Sequence, residues 1–199
     1  MFRDRKRKTA DPCEVCRMHR ERCVCGAIPK LDLRTRLALV VHAKEVKRTS
    51  NTGVLAAHAL KNSAVFIRGL GELDLSGALD PRYRSVLFYP SDDAVELNSE
   101  FVAADTRPIQ LIVPDGNWRQ ASKVASRHSE LAHLPRVKIS AVNSAVHHLR
   151  REHMPEGMST LEAIARAFRV LEGEAVFNSL YALYQAKLQA TLIGRGLAH

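Results

Sequence analysis

The stretch IQLIVPDGNW, residues 109–118, joins an apolar run to a turn that carries an acidic and an aromatic side chain. An apolar run of this length, ended by proline and glycine, is typical of a strand that is buried on both faces. Similar runs occur at residues 35–42 (TRLALVVH), 64–68 (AVFIR), 85–89 (SVLFY) and 136–140 (RVKIS). The sequence therefore predicts a sheet built from these five strands.

Segments with helical character lie between and after these runs, at residues 54–62, 119–129, 161–171 and 175–192. The third follows a Ser-x-x-Glu pattern that begins at Ser159 and is typical of a helix start. Strands that alternate with helices predict an α/β fold, a mostly parallel sheet with helices on both faces. In open sheets of this kind, ligands bind beyond the carboxyl ends of the strands. We therefore expect functional residues after His42, Val113 and Ser140.

The segment after His42 contains SNTG at residues 50–53. Ser50, Asn51 and Thr52 can cap a helix, and Gly53 permits a close approach of the backbone. Such a helix start suits a carboxylate or a phosphate. A plain capped helix behind a solvated charged loop explains the same residues equally well.

The turn after Val113 brings Asp115 and Trp118 within three residues of each other. A tight turn can place the carboxylate and the indole ring in one pocket, where the ring could stack on a base or form a wall. The alternative interpretation is that Asp115 caps a helix and Trp118, the only tryptophan of the chain, lies in the core.

The segment after Ser140 is rich in histidine and arginine, which raises the question of a second metal site. Adjacent histidines point apart on a helix or a strand, and the His-Glu-x-x-His pattern is missing from the sequence, so we do not expect a metal there. The residues concerned are His147, His148, Arg150, Arg151, Glu152 and His153.

All four cysteines of the chain lie in the run CEVCRMHRERCVC, at Cys13, Cys16, Cys23 and Cys25. Two closely spaced pairs can collect one tetrahedral zinc ion, and a site with four thiolates is structural rather than catalytic. An iron–sulfur cluster or a pair of disulfides is the alternative. Because this segment has almost no apolar core of its own, we expect metal loss to disorder it before the rest of the chain.

The chain has 199 residues, 46% of them hydrophobic, and a formal net charge of +9. We predict a basic, disordered tail (residues 1–11), a cysteine module (12–30) and one α/β domain (31–199). Because the apolar runs are far shorter than the roughly 20 residues of a membrane span, and a secretory signal is not apparent, we expect a cytoplasmic protein without membrane binding. The basic charge favours a polyanionic partner, although it could serve solubility alone.

Taken together, these features resemble the DTW-domain family over most of the chain, from Cys13 to about Leu192. The motifs that carry the resemblance, in chain order, are the cysteine pairs, SNTG, Asp115 with Trp118, Leu149-Arg150, and Thr160 with Glu162. Two positions depart from the family pattern. Asn117 stands where the family usually has threonine, and His147-His148 stands where an aromatic residue is frequent.

The resemblance implies a fold and a reaction. The family comprises S-adenosylmethionine-dependent tRNA-uridine aminocarboxypropyltransferases, and it is similar to SPOUT-type methyltransferases, whose sheet contains a deep C-terminal trefoil knot. It implies that Asp115 is the base or grips the amino group of the cofactor, and that Trp118 shapes the pocket or stacks on uridine. The basic tail and a zinc module would hold tRNA. The residues that it implies at the cofactor are Ser50, Asn51, Thr52, Gly53, Val113, Pro114, Arg150, Thr160 and Glu162.

Two other functions fit the same residues. An RNA methyltransferase would bind the same cofactor but expose its methyl group, and would release S-adenosylhomocysteine instead of methylthioadenosine. A non-catalytic, zinc-dependent RNA-binding protein would bind RNA but not S-adenosylmethionine.

Overall fold

The computed structural model describes residues 9–71, 74–140 and 158–197. Within them the chain forms one parallel sheet with the strand order β2-β1-β5-β3-β6-β4. The strands are β1 Arg36–His42, β2 Ser63–Arg68, β3 Arg84–Phe88, β4 Val95–Glu96, β5 Ile109–Asp115 and β6 Arg136–Lys138. The five predicted strands are confirmed. The sixth, β4, was missed because two residues are too few to produce an apolar run.

The helices are short except for the last two. Their bounds are α1 Ala43–Val46, α2 Gly53–Ala59, α3 Ser99–Ala103, α4 Trp118–Ala121, α5 Lys123–Arg127, α6 Ser129–Ala132, α7 Thr160–Glu172 and α8 Glu174–Gly194. The single helix predicted at residues 119–129 is wrong. It is interrupted at Ser122, whose hydroxyl donates to the Arg119 carbonyl, and it ends at His128, whose backbone is extended.

Both faces of the central strands β1, β3 and β5 are covered, as the apolar runs predicted. The prediction fails for β2, which lies at the edge of the sheet and leaves Val65 and Ile67 exposed on one face. Along β1, Leu37 and Leu39 pack into a cluster with α2, α7 and α8, whereas Ala38 and Val40 pack on the opposite face with α5 and α6. Because successive side chains of a strand point to opposite faces, the two clusters share each central strand. We refer below to the α2/α7 face and the α5/α6 face.

The connections change direction between β1 and β5. The chain leaves β1 for β2 on one side, and it leaves β5 for β6 on the other. Such a switch point opens a crevice beyond the carboxyl ends of the two strands, where ligands of open α/β sheets bind. Asp115, the last residue of β5, pairs in register with Val41 of β1 and therefore lies at this crevice.

The cysteine segment packs against the main core. It forms two 3-10 turns, Arg20–Arg22 and Cys25–Ala27, and a bridge between Pro12 and His19. Cys16, Met18 and Val24 are buried in the same cluster as α7 and α8. Where the segment ends and the α/β domain begins, near residue 30, stays a prediction.

Across the described parts of the chain, none of the helices combines the length and the apolar character that crossing a membrane requires.

Candidate active site

The carboxylate of Asp115 is the point where three separate segments meet. Asp115 is buried, and its Oδ2 accepts a hydrogen bond of 2.8 Å from Nδ2 of Asn51, between α1 and α2. Its Oδ1 accepts a bond of 2.6 Å from the hydroxyl of Thr160, the first residue of α7. Two of the three segments predicted from strand ends are thus brought together. The third, after Ser140, lies outside the described residues.

The SNTG sequence explains why Asn51 reaches Asp115. Oδ1 of Asn51 accepts from the backbone N–H of Val54 at 3.3 Å, and Nδ2 of Asn51 also donates to the Glu45 carbonyl at 3.3 Å. These bonds fix the amide at the start of α2. A side chain at Gly53 would place its Cβ 3.0 Å from Oδ2 of Asp115, so glycine is needed for α2 to approach the carboxylate.

A second pair of contacts joins α2 to α7. The hydroxyl of Thr52 accepts a hydrogen bond of 3.1 Å from the backbone N–H of Leu161. Ser159 caps α7 by accepting from the N–H of Glu162 at 3.2 Å, as the Ser-x-x-Glu pattern predicted. Thr52 therefore connects α2 to α7 directly, and Thr160 connects α7 to Asp115.

Glu162 departs from the predicted capping box. Its side chain does not return to Ser159 but accepts from Arg166 through Oε1 at 3.0 Å. The residue is 2% exposed, and its Oε2 has no hydrogen-bond partner in the described part of the chain. A buried carboxylate oxygen normally has a donor, so Oε2 of Glu162 is an exception among the described residues.

Trp118 lies on the surface of the turn. Its side chain is 43% exposed, and its ring meets Tyr89 edge to face with 6.0 Å between the ring centres. Asn117, not Asp115, caps α4, accepting from the N–H of Gln120 at 2.9 Å in a complete capping box. The alternative that Asp115 is a cap and Trp118 a core residue is therefore wrong.

The position of Asn117 accounts for its departure from the family pattern. Threonine and asparagine are both good N-cap residues, so the exchange preserves the helix start.

The other predicted cofactor residues differ in position. Val113 and Pro114 are buried inside β5, so their side chains pack in the sheet. Ser50 precedes Asn51 and is half-buried. Arg150 lies outside the described residues, as do Leu149 and the histidines His147, His148 and His153.

One buried cation near the carboxyl ends of the strands, Arg68, was not predicted from the sequence. Arg68 ends β2 with a relative exposure of 4% and donates through a terminal guanidinium nitrogen to the carbonyl of Gln120 in α4. A single arginine at the end of a short strand matches no motif, and only the fold shows that it is buried.

The four cysteine sulfurs lie within 4.8 Å of one another. Cys13 and Cys25 are 3.5 Å apart, and Cys16 and Cys23 are 3.7 Å apart, all as free thiols. The backbone N–H groups of Cys16 and Val15 lower the pKa of Cys13 to about 6, whereas burial and the neighbouring thiols raise the pKa of Cys25. Of the described residues, only these four form a group that could hold a metal ion.

The fold and the site define a parallel α/β domain with a buried carboxylate at its switch point and an attached four-cysteine segment. The chain belongs to the DTW domain family, whose family model matches residues 10–192.

Named relatives align with most of the chain. The tRNA-uridine aminocarboxypropyltransferase 2 of Drosophila melanogaster is 30% identical over 179 residues, covering 82% of this chain and 70% of the relative. The protein of the same name from Macaca fascicularis is 26% identical over 92% of this chain and 65% of its own length. The chain thus spans about two thirds of the length of these curated relatives.

One solved structure is also similar. The SAM-dependent rRNA:acp-transferase Tsr3 from Vulcanisaeta distributa aligns over 81% of this chain and 79% of its own, at 16% identity and a TM-score of 0.48. A likeness at this level assigns neither a fold nor a function.

Proposed function

We propose that this protein transfers the 3-amino-3-carboxypropyl group from S-adenosylmethionine to a ring nitrogen of uridine in tRNA. The observation that carries the proposal is the convergence of Asn51 and Thr160 on Asp115 at the switch point. These residues belong to the motifs that place the chain in its family, and its relatives bear the name of this activity.

The reaction needs positioning and one proton transfer. The uridine nitrogen forms a bond to the aminocarboxypropyl carbon, the bond from that carbon to sulfur breaks, and its electron pair stays on sulfur. Methylthioadenosine leaves, and the imide proton of uridine must go to a base. The sulfonium already activates the carbon, so the protein must present this carbon rather than the methyl group.

Asp115 supports two roles in this reaction. Its carboxylate is held in one orientation by donors on both oxygens, which suits a base that must face the imide proton. The same fixed carboxylate suits a grip on the cofactor's amino group. The two roles predict different binding behaviour, which the experiment below uses.

The cofactor would lie between α2 and α7. The buried Oε2 of Glu162 offers an acceptor for an amino or hydroxyl group. The backbone near Gly53 and Pro114 and the side chains of Ser50 and Thr52 would line the rest, with Arg150 added from the segment after β6. Trp118, exposed on the turn beside Tyr89, would stack on the target base.

Zinc is the metal that we propose for the cysteines. A tetrahedral ion with Zn–S distances of about 2.3 Å separates its sulfurs by about 3.8 Å, close to the two measured distances. The spacing supports a single ion over a cluster of several irons. Its role is structural, because four thiolates leave no open position.

We add further proposals: the knotted fold and the contact with tRNA rest on the family resemblance, and the segment boundaries and the cytoplasmic location rest on the sequence composition. The sheet would belong to the SPOUT type with a C-terminal trefoil knot, and the chain that joins β6 to α7, where such a knot would form, lies largely outside the described residues. The segment boundaries near residues 11 and 30 would separate the tail, the module and the α/β domain. tRNA would contact the basic tail and the module, in a protein that works in the cytoplasm.

Asp115→Asn tests the site directly. The new amide can accept from Asn51 through its oxygen and donate to the Thr160 hydroxyl, so we expect the fold to survive. Transfer should fall at least 1,000-fold, on the order of what loss of a catalytic base and of transition-state charge stabilisation costs. The affinity of the variant for S-adenosylmethionine, measured by calorimetry, decides the role of Asp115. Unchanged affinity means that Asp115 acts as the base, and lost affinity means that it binds the amino group of the cofactor.

The control is Asp92→Asn, which removes the same charge from an exposed position. It should leave transfer and cofactor affinity unchanged. A fully active Asp115→Asn protein would remove this carboxylate from the mechanism and with it the site proposed here.

A further inference from the structure

Two basic residues are paired at the carboxyl ends of β1 and β2. His42 ends β1, Arg68 ends β2, and the two are partners in register. Val40 and Phe66, two residues earlier in each strand, pack on the α5/α6 face. Because side chains alternate between the two faces of a strand, His42 and Arg68 lie on the same face, opposite to Asp115. Burial is the main cause that lowers the pKa of both residues, and the charge of Arg127, at the exposed end of α5, lowers it further.

Arg68 is a buried cation. One guanidinium nitrogen donates to the Gln120 carbonyl, whereas Nε is buried and has no hydrogen-bond partner among the residues that the structure describes. Over the residues that the structure describes, Arg68 forms no ion pair with a carboxylate. Burial, and then the charge of Arg127, lower the pKa of Arg68. A buried cation is costly unless an anion neutralises it, so the arrangement favours a bound anion.

His42 supplies a donor to the same place. Its Nδ1 accepts from the backbone N–H of Lys44 at 3.2 Å, so the neutral ring carries its proton on Nε2. Burial, followed by the charges of Arg68 and Lys44, lowers the pKa of His42, and the carboxylate of Glu45 opposes this effect only in part, so the neutral ring is favoured.

Gly69 leaves this donor accessible. The residue is exposed, and a Cβ there would lie 3.2 Å from Nε2 of His42. Its φ of 90° lies in the region that glycine adopts without strain. Without a side chain at this position, a small anion can reach the edge of the imidazole beside Arg68.

We propose that Arg68 and His42 bind a phosphate group of the RNA substrate. A guanidinium fork and an imidazole N–H can donate to different oxygens of one phosphate, and Arg127 adds charge at the solvent side. The bond from Arg68 to Gln120 ties this phosphate site to α4, which begins at Trp118. A phosphate held here would fix a nucleotide relative to the turn that carries Trp118. The assignment to RNA rests on the proposed function.

The first test is a titration with inorganic phosphate at constant ionic strength, followed by thermal unfolding. Phosphate should raise the Tm of the wild-type protein and bind at least tenfold more weakly to Arg68→Met, which keeps a long apolar side chain. Arg68→Lys, which retains the charge but not the fork, should fall between them. The matched control is Arg34→Met. Arg34 is exposed and precedes β1, so it lies at the amino ends of the strands, away from Arg68.

The second test concerns RNA. The slope of log affinity against log salt should become shallower by about 0.7 to 0.9 in Arg68→Met, as expected for one lost phosphate contact, and should not change in Arg34→Met. If phosphate binding is lost while the RNA slope is unchanged, the site binds a free anion, and the assignment to RNA is wrong.

A third measurement needs no variant that might unfold. The Nε resonance of Arg68 in the wild-type protein should shift when phosphate is added. A shift with S-adenosylmethionine alone would instead assign the site to the cofactor's carboxylate, and no shift with either would overturn the proposal. These titrations involve no transfer reaction, so they can fail while methylthioadenosine is still formed, and they can succeed when it is not.

Discussion

At the scale of single residues, Asp115 connects β5, the start of α2 and the start of α7 through its two oxygens. Its position at a strand end was predictable from the apolar run that precedes it. Its partners were not, because Asn51 and Thr160 are 64 and 45 residues away in the chain. The family motifs named all three residues, whereas only the fold shows that they touch.

Gly53→Ala tests how closely α2 must approach Asp115. The new Cβ would lie 3.0 Å from Oδ2 of Asp115 and 3.1 Å from Cδ1 of Leu39, so the carboxylate must move. We expect a loss of about 1–3 kcal/mol in unfolding free energy and a larger relative loss of transfer. Gly77→Ala is the control, since its Cβ would meet nothing within 4 Å. Unchanged transfer in Gly53→Ala would mean that the close approach has no catalytic purpose.

Trp118→Phe separates a role in the site from a role in stability. Because the ring is 43% exposed, the variant should change the unfolding free energy by only about 0.5 kcal/mol. Transfer should fall if the indole area or its N–H positions the base. Urea unfolding and the rate of transfer per folded molecule make the comparison. Lost stability with undiminished transfer would make Trp118 a packing residue beside Tyr89.

At the scale of elements, the sequence predicted strands better than helices. Strands leave apolar runs that the local sequence reveals, and all five predicted strands are present, although β2 at the edge is buried on one face only. The helix predicted at residues 54–62 instead ends at Ala59, because Leu60 is extended and pairs with Leu31 as the chain turns toward β2. This bridge joins residues far apart in the chain, so local periodicity could not predict it. The burial of Arg68 was not predicted either, because its contact with Gln120 also joins residues far apart in the chain.

The contact between the cysteine segment and α8 changes what we expect from metal removal. Lys187 of α8 is fully buried and donates to the carbonyl of Cys16 at 2.6 Å. Met18 and Val24 pack in the same cluster as Leu180 and Leu183. The sequence alone suggested that residues 12–30 would disorder first and by themselves. Because these residues pack on α8, we expect the folding of residues 12–30 and the stability of α8 to depend on each other.

We therefore expect chelation to speed hydrogen exchange in α8 around Lys187 as well as in residues 12–30. A metal bound only by the folded segment stabilises everything that packs on it. Cys13→Ser should show the fast exchange already, and chelator should add little to it. Exchange that stays slow in α8 after chelation would show that residues 12–30 fold as an independent unit.

At the scale of the whole molecule, the two faces of the sheet would bind different parts of the substrates. The α2/α7 face holds Asp115 and Glu162, which suit a small polar ligand. The α5/α6 face holds the basic group around Arg68, which suits a phosphate. The turn with Trp118 lies between them, at the end of β5. With a formal net charge of +9, the protein as a whole favours a polyanionic substrate.

The most direct measurement is mass spectrometry of both products after incubation of tRNA, S-adenosylmethionine and the protein. We predict methylthioadenosine together with an equal amount of uridine that has gained the mass of an aminocarboxypropyl group, and neither product with Asp115→Asn. S-adenosylhomocysteine with a methylated nucleoside would contradict it and identify a methyltransferase. Bound tRNA with no consumption of S-adenosylmethionine would identify an RNA-binding protein instead.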